Sequence, residues 1–366
     1  MILCSNPSAQ FQSYQSEIEE AVLSVLRGNR YILGEEVVAL ENEFAAYIGT
    51  SYAIGVANGT DAIELALRAL EINKGDEVIT VSHTAVATVA AIEAAGATPV
   101  LVDVESKFYT LDPFQLEEVY SSRTKAVVAV HLYGQSADIE AIKSFCDKHN
   151  IFLIEDASQA HGASHQKKRL GSIGDIGCFS CYPTKNLGAI GDAGLITTNN
   201  ADLANKIRMQ REYGWRNRIS ENTGRNSRLD EIQAAVLRIK LKHLDSDNSK
   251  RFNIGKYYKE QLSELPIYLP KIRPQVEPVF HLFVVQSENR DNLLNYFKDE
   301  GIQAGIHYSL PVHLQPAYKD RLKTAEDMTR TESLVKKIIS LPIYPELSPN
   351  QAEKVVKVFK EFSNRN

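Results

Sequence analysis

From about residue 50 to residue 160 the chain repeats one alternation: a short apolar run, then a longer stretch whose apolar positions recur three and four apart. Tyr52 to Ala57, Glu77 to Val81, Thr98 to Val104, Ala126 to His131 and Ile151 to Ile154 read as strands. Between them, Asn58-Gly59-Thr60 leads into a helix through Leu70. Ala87 to Ala95, Asp112 to Tyr120 and Asp138 to His149 read as helices too. Upstream, Gly34 to Gly49 places Val37, Leu40, Phe44 and Tyr47 on one helical face. Short apolar strands separated by helices predict an α/β fold with a mainly parallel sheet covered on both faces. After Leu244 the texture changes. Asp245 to Arg251 is polar, and Pro266, Pro270, Pro274 and Pro278 break a shorter helix-strand-helix pattern. A boundary is therefore expected near residue 250, between a large domain over 1–250 and a smaller α+β domain over 251–366. The N-terminal helices are candidates to pack on the smaller one.

Composition removes several classes. The 366 residues are 43% hydrophobic and 24% charged, with a formal net charge of −5 and no long block of one sign. That is globular usage without the basic face of a nucleic-acid binder. No apolar run approaches the ~18 residues that span a bilayer. Met1-Ile2-Leu3-Cys4-Ser5-Asn6-Pro7 has no charged segment followed by an apolar core, so a cytoplasmic protein is expected. Cys178-Phe179-Ser180-Cys181 spells C-x-x-C, but inside an apparent strand rather than at a helix start, so neither redox nor metal chemistry is assigned to it. His161 and His165 are four apart, yet Gly162 and Ser164 oppose a helix, and no metal site is expected. Gly171-x-x-Gly174-x-x-Gly177 differs from the dinucleotide glycine pattern.

Open parallel sheets bind ligands beyond the carboxyl ends of their strands, which directs attention to three segments. Asn58-Gly59-Thr60-Asp61 joins a tight turn to a helix start, whose free N–H groups and dipole suit an anion such as phosphate; capping by Thr60 is the plainer role. Ile154-Glu155-Asp156 ends a buried strand in carboxylates that need a partner, either the following Ser158-Gln159-Ala160 turn or a cationic ligand atom. The third segment runs from Phe179 to Gly194. In it Lys185 lies between apolar strands, after Pro183 and before three glycines. A lysine in such a low-dielectric loop can lose its proton and act as an imine-forming amine. An amine of that kind, an acid for a pyridinium nitrogen and phosphate donors are together the parts that pyridoxal phosphate requires.

Asn58-Gly59-Thr60-Asp61-Ala62, Ser82-His83-Thr84, His131-Leu132-Tyr133-Gly134, Glu155-Asp156-Ala157-Ser158-Gln159-Ala160-His161-Gly162, the Lys185 segment and Arg225-Asn226-Ser227-Arg228-Leu229-Asp230-Glu231-Ile232-Gln233-Ala234-Ala235 carry a resemblance. In this order they resemble the DegT/DnrJ/EryC1/StrS aminotransferases, which act on nucleotide-linked keto-deoxysugars. The resemblance implies the aspartate-aminotransferase type I fold, a three-layer α/β/α arrangement, and a homodimer with active sites at the subunit boundary. It implies pyridoxal 5′-phosphate cycling through its pyridoxamine form, with glutamate as donor and 2-oxoglutarate as its product. No membrane or nucleic-acid partner follows from it.

Residue by residue, Lys185 resembles the cofactor-binding lysine, Asp156 the acid at the pyridine nitrogen and Gln159 the glutamine beside the ring hydroxyl. Gly59, Thr60, Asp61 and Ser180 resemble the phosphate cradle, and Asn226 an asparagine reaching that phosphate from the other subunit. Tyr182, His307 and Tyr308 resemble sugar-side positions, and Tyr31 is expected to lend a ring across the dimer. Many members carry an aromatic ring after the threonine of the Ser-x-Thr turn. Ala85 stands there in this chain, so His83 is expected to stack on the cofactor instead. Lys185 speaks against dehydratases of this scaffold, which commonly replace the lysine with histidine. Lys185 and Asp156 together speak against a non-catalytic regulator. The first two motifs resemble the 3-amino branch more than the 4-amino one, so amination at C3 of a dTDP-linked keto-6-deoxyhexose is expected.

Overall fold

A computed structural model of the chain describes residues 1–365. Its main sheet has eight strands: β1 (Tyr52–Val56), β2 (Glu77–Val81), β3 (Thr98–Val102), β4 (Thr124–Val130), β5 (Phe152–Asp156), β6 (Ile176–Ser180), β7 (Gly194–Thr198) and β8 (Lys323–Thr324). They lie in the order β1-β7-β6-β5-β4-β2-β3-β8, all pairs parallel except those made by β7. Register aligns the carboxyl ends along one edge. Val56 faces Gly194, Gly194 faces Ser180, and Asp156 faces both Val130 and Cys178.

Each face of the sheet is covered, which is why the strands are apolar on both sides. The helices Gly59–Ala69, Val86–Ala94 and Ala201–Gln210 pack on one face, burying Ala62, Leu65, Ile92 and Ile207 against Ile54, Val128, Ile154 and Cys178. On the other face, Ile139–His149 covers β4 and β5, while Glu35–Ile48 and the long Glu231–Gln261 helix cover β1, β6 and β7. The Glu35 helix starts at Gly34 without a side-chain cap of its own. The Glu231 carboxylate supplies one, accepting from the N–H groups of Gly34 (2.7 Å), Glu36 (2.9 Å) and Val37 (3.0 Å).

The expected boundary at residue 250 falls inside the Glu231–Gln261 helix, which runs through it unbroken. Ala234, Leu237 and Leu241 belong to the core under the sheet, whereas Tyr258 belongs to a second core with Phe283, Phe297, Ile339 and Phe359. The polar stretch from Asp245 to Arg251 is therefore no linker: it is where the helix crosses between two apolar cores. Its buried members are paired there, Asp247 with Tyr14 and Lys250, Arg251 with the carbonyl of Ile343.

That second core forms around a two-stranded antiparallel sheet, Phe283–Gln286 with Ile338–Leu341, flanked by the helices Arg290–Asp299 and Pro349–Arg365. Ile2 joins it, bridging to Ile302, so the first residues of the chain pack on its last third. In the opposite direction, β8 adds to the edge of the main sheet beside β3. No described helix is long and apolar enough to cross a membrane.

Candidate active site

A cavity of about 760 Å³ opens beyond the carboxyl ends of β1, β4, β5 and β6. Gly59, Thr60, Asp61 and Ser180 line one end of it, and Asp156 and Gln159 line its wall. Lys185 and Tyr182 enter from the loop after β6, and His307 and Tyr308 from the far side. Ten of the thirteen residues singled out from the sequence thus meet in one place.

The Gly59–Ala69 helix points its N-terminus into the cavity. Asn58 caps it, its Oδ1 accepting from the Asp61 N–H at 2.8 Å. Asp61 is thereby committed: its N–H is taken and its carboxylate lies 3.4 Å from Arg225. The donors left for an anion are the N–H groups of Gly59 and Thr60, ahead of the first helical turn, with the hydroxyls of Thr60 and Ser180. A Cβ on Gly59 would fall 2.5 Å from the Ser180 Cβ, so only glycine lets helix and strand end close this cradle.

Asp156 ends β5 and is 95% withdrawn from solvent. Its Oδ2 accepts the Thr88 hydroxyl at 2.9 Å and its Oδ1 the Ser158 N–H at 3.2 Å, leaving its other lone pairs toward the cavity. Thr84 touches Thr88 oxygen to oxygen at 3.0 Å, completing a hydroxyl chain behind the acid. The neighbouring Glu155 points away from the cavity and does structural work. It accepts His131 Nε2 at 2.9 Å and the N–H groups of Gly171, Ile173 and Gly174, each at 2.7 Å. Burial pushes the Glu155 pKa upward, but these donors outweigh it and hold the carboxyl below its ordinary range. The Gly-x-x-Gly-x-x-Gly run is the turn that supplies them.

The loop carrying Lys185 is held from both ends. Lys185 N–H donates to Tyr182 O and Ala189 N–H to Cys181 O, both at 2.8 Å. Three residues of the Glu231–Gln261 helix grip it as well: Gln233 accepts from the Ile190 N–H (3.0 Å), Lys240 Nζ donates to Gly188 O (2.7 Å), and Asn248 Oδ1 accepts from Asn186 Nδ2 (2.8 Å). Lys185 itself is half-buried. Desolvation pushes its pKa down to about 8, against an upward pull from the Asp156 carboxylate. Burial and the Lys185 charge also depress the imidazoles of His161, His281 and His307, so none competes as a cation.

This has a measurable consequence. At pH 7 a group with pKa near 8 is neutral in about one molecule in ten, against about one in several thousand for an ordinary lysine. Acetylation of the apoprotein by an N-hydroxysuccinimide ester, mapped by mass spectrometry across pH, should show Lys185 labelling reach half its maximum near pH 8. Labelling of ordinary exposed lysines should keep rising to above pH 10. A Lys185 profile matching theirs would refute the depressed pKa.

Three sequence-picked residues lie off the cavity. His83 is 1% exposed, behind the wall, its Nε2 2.6 Å from the Tyr133 hydroxyl; Thr84 and Ala85 are the residues of that turn lining the cavity. The reason is register. The turn after β2 carries the His83 ring into the core against Tyr133 and leaves only Thr84 and Ala85 at the cavity, so no ring from this turn reaches it. Asn226 is exposed and accepts from Arg228 Nε at 2.9 Å. Tyr31 is 51% exposed, its hydroxyl donating to the carbonyls of Leu26 and Gly28. The chain at Tyr31 is tied to the start of the long helix, for Tyr31 O accepts from the Glu231 N–H and Ile32 bridges to Asp230.

Sequence reasoning missed Thr88, Lys240 and His281. Thr88 is the one hydroxyl in the apolar Val86–Ala94 helix, and Lys240 is a lysine in the stripe of Leu237, Leu241 and Leu244. Both were legible as polar groups at core positions. Nothing local marks His281. Cys178 and Cys181 lie in different cores, on opposite faces of the sheet. Burial pushes the Cys181 thiol up to about 12 and that of Cys178 well above its ordinary value, leaving neither as a thiolate.

A lysine whose pKa burial lowers to about 8, lining one cavity with a carboxylate and an anion cradle, is the constellation of an aminotransferase. The profile of the DegT/DnrJ/EryC1/StrS aminotransferase family matches residues 12–360. The chain belongs to that family. It is 47% identical over 351 residues (95% of this chain, 96% of the relative) to the dTDP-3-amino-3,6-dideoxy-alpha-D-galactopyranose transaminase of Aneurinibacillus thermoaerophilus. It is 45% identical over 359 residues (98% and 95%) to the dTDP-3-amino-3,4,6-trideoxy-alpha-D-glucose transaminase of Streptomyces venezuelae. Among solved structures, S. venezuelae DesV in complex with a ketimine intermediate superposes with a TM-score of 0.97 at 43% identity, covering 100% of this chain and 99% of that one. This DegT/DnrJ/EryC1/StrS member thus has the fold of the family's solved aminotransferases, and it is an enzyme.

Proposed function

We propose that this aminotransferase uses pyridoxal phosphate to move an amino group from glutamate to C3 of a dTDP-linked keto-6-deoxyhexose, in deoxyamino-sugar biosynthesis in the cytoplasm. The observation that carries the reading is Lys185, its ammonium pushed to about 8, set between the Asp156 carboxylate and the cradle of Gly59, Thr60 and Ser180.

When bound, the cofactor supplies an aldehyde carbon that exchanges amino groups and a ring that withdraws electrons from the reacting carbon. The protein does the rest. Gly59, Thr60 and Ser180 hold the phosphate by N–H and O–H donation. Asp156, itself fixed by Thr88 and Ser158, keeps a proton on the ring nitrogen. Gln159 would hold the ring hydroxyl, and its Nε2 donates to the Tyr308 hydroxyl at 3.0 Å. Lys185 Nζ anchors the cofactor at rest. Once released, and neutral in a useful fraction at pH 7, it accepts the proton from the donor's α-carbon and returns it on the far side of the exchange. Tyr182, His307 and Tyr308 frame the sugar end. Tyr308 keeps its phenol proton, because burial and then the Asp156 charge push its pKa up to about 12.

The active form proposed is a homodimer in which Tyr31 and Asn226 of one subunit reach the cavity of the other. The exposure of both, together with that of Ile32 and Tyr213 at 38% each, supports this. The C3 position and the dTDP carrier are supported by the two relatives named above. The decisive experiment is an assay of purified protein with glutamate and either dTDP-3-keto- or dTDP-4-keto-6-deoxyhexoses, with products identified by mass spectrometry and NMR. Amination of the 3-keto sugar is expected; amination of only the 4-keto sugar would overturn the regiochemistry.

A further inference from the structure

His131-Leu132-Tyr133-Gly134 has no part in the mechanism above, and His83 has lost its expected stacking role. The two motifs meet. His83 Nε2 lies 2.6 Å from the Tyr133 hydroxyl, with the rings edge to face at 5.9 Å, and the same hydroxyl contacts the carbonyl oxygen of His307. A carbonyl can only accept, so the one phenolic proton goes to His307 O. The Tyr133 oxygen must then accept at its other contact, and His83 Nε2 must carry the hydrogen. Burial holds His83 neutral, its pKa pushed down to about 3, so Nδ1 is bare; it has no protein partner. The network assigns the tautomer.

Tyr133 is also tied through its backbone. It sits after β4 in the left-handed region (φ 61°), and its N–H donates to Gln159 Oε1 at 2.8 Å. Gln159 Nε2 in turn donates to the Tyr308 hydroxyl at 3.0 Å. A ring of bonds therefore closes from Tyr133 to Gln159 to Tyr308, along the chain to His307, and back to Tyr133. Gly134 locks the turn from below (φ 98°), since a Cβ there would fall 2.7 Å from the His281 N.

We propose that Tyr133 is a positioning residue for the sugar end of the cavity: its hydroxyl, filled from behind by His83, holds the His307 carbonyl and so sets where the His307 and Tyr308 side chains stand. The inference rests on the sugar-side reading of His307 and Tyr308.

A double-variant series in the holoenzyme separates positioning from packing. Tyr133→Phe removes the donor to His307 O and strands the buried His83 N–H. It should lower Tm and raise KM for the keto-sugar about tenfold, with kcat falling less than twofold. Adding His83→Leu removes the stranded N–H, so that only His307 O is left without its partner. Tyr133→Phe/His83→Leu should therefore regain much of the lost Tm while KM stays raised, since His307 O still lacks its donor. Unchanged KM in Tyr133→Phe, or KM recovering together with Tm in the double variant, would overturn the proposal. Failure of the underlying reading shows differently: wild-type protein that converts its cofactor with glutamate but aminates no keto-sugar removes the sugar end, and this inference with it.

Discussion

Lys185→Arg should give a folded protein with no covalently held cofactor and turnover reduced about 10⁴-fold, equivalent to about 5 kcal/mol of lost transition-state stabilisation. The size follows from two losses. A guanidinium does not deprotonate in a protein, so it can neither bond the cofactor's aldehyde carbon nor take a proton from the donor. Folding should survive, because Lys185 Nζ makes no hydrogen bond among the described residues, and the loop is held by backbone bonds and by Gln233, Lys240 and Asn248. Borohydride treatment of wild-type holoenzyme, followed by peptide mapping, should find the cofactor on Lys185 and nowhere else. Label on another lysine, or a Lys185→Arg enzyme retaining more than a few per cent of wild-type turnover, would displace Lys185 from its role.

Much of this architecture was legible because its causes are local. Strands β2 and β5 to β7 each carry a short buried run rich in apolar residues, and helical spacing sets in where a cap or glycine stands: Asn58 before Gly59, Asp138 before Ile139. The site was legible for the same reason, since strand-end position is a matter of chain order and Asp156, Ser180 and Lys185 each follow a recognisable strand. What escaped depends on three dimensions. A 31-residue helix that serves two cores looks polar in its middle, and the Asp245–Arg251 stretch passes for a linker until its buried partners are seen. The direction of His83 is decided by the register of one turn, which composition does not carry. Glu155 and Asp156 are adjacent carboxylates with opposite duties, and only the strand's alternation, set by which face meets the Gly171–Gly174 turn, separates them.

Asp156→Asn tests the other half of the chemistry and distinguishes an enzyme from a protein that merely binds the cofactor. The substitution is well accommodated. The new amide can accept the Ser158 N–H with its oxygen and donate its NH₂ to Thr88 Oγ1, while the Thr88 hydroxyl turns to donate to Thr84, 3.0 Å away. Fold and cofactor retention should therefore persist. What disappears is the negative charge opposite the ring nitrogen. A carboxylate there favours the protonated, cationic ring, and a neutral amide does not. The electrons released when Lys185 removes the donor's proton would meet a neutral ring, and the barrier should rise. A loss of about 10²-fold or more is expected in the glutamate half-reaction, about 2.7 kcal/mol at tenfold per 1.36 kcal/mol. Single-turnover mixing of holoenzyme with glutamate, followed by the change in cofactor absorbance, reads this step alone and needs no sugar. If Asp156→Asn runs at the wild-type rate, the acid is only a cap for the Ser158 turn, and the ring nitrogen must lie against some other wall of the cavity.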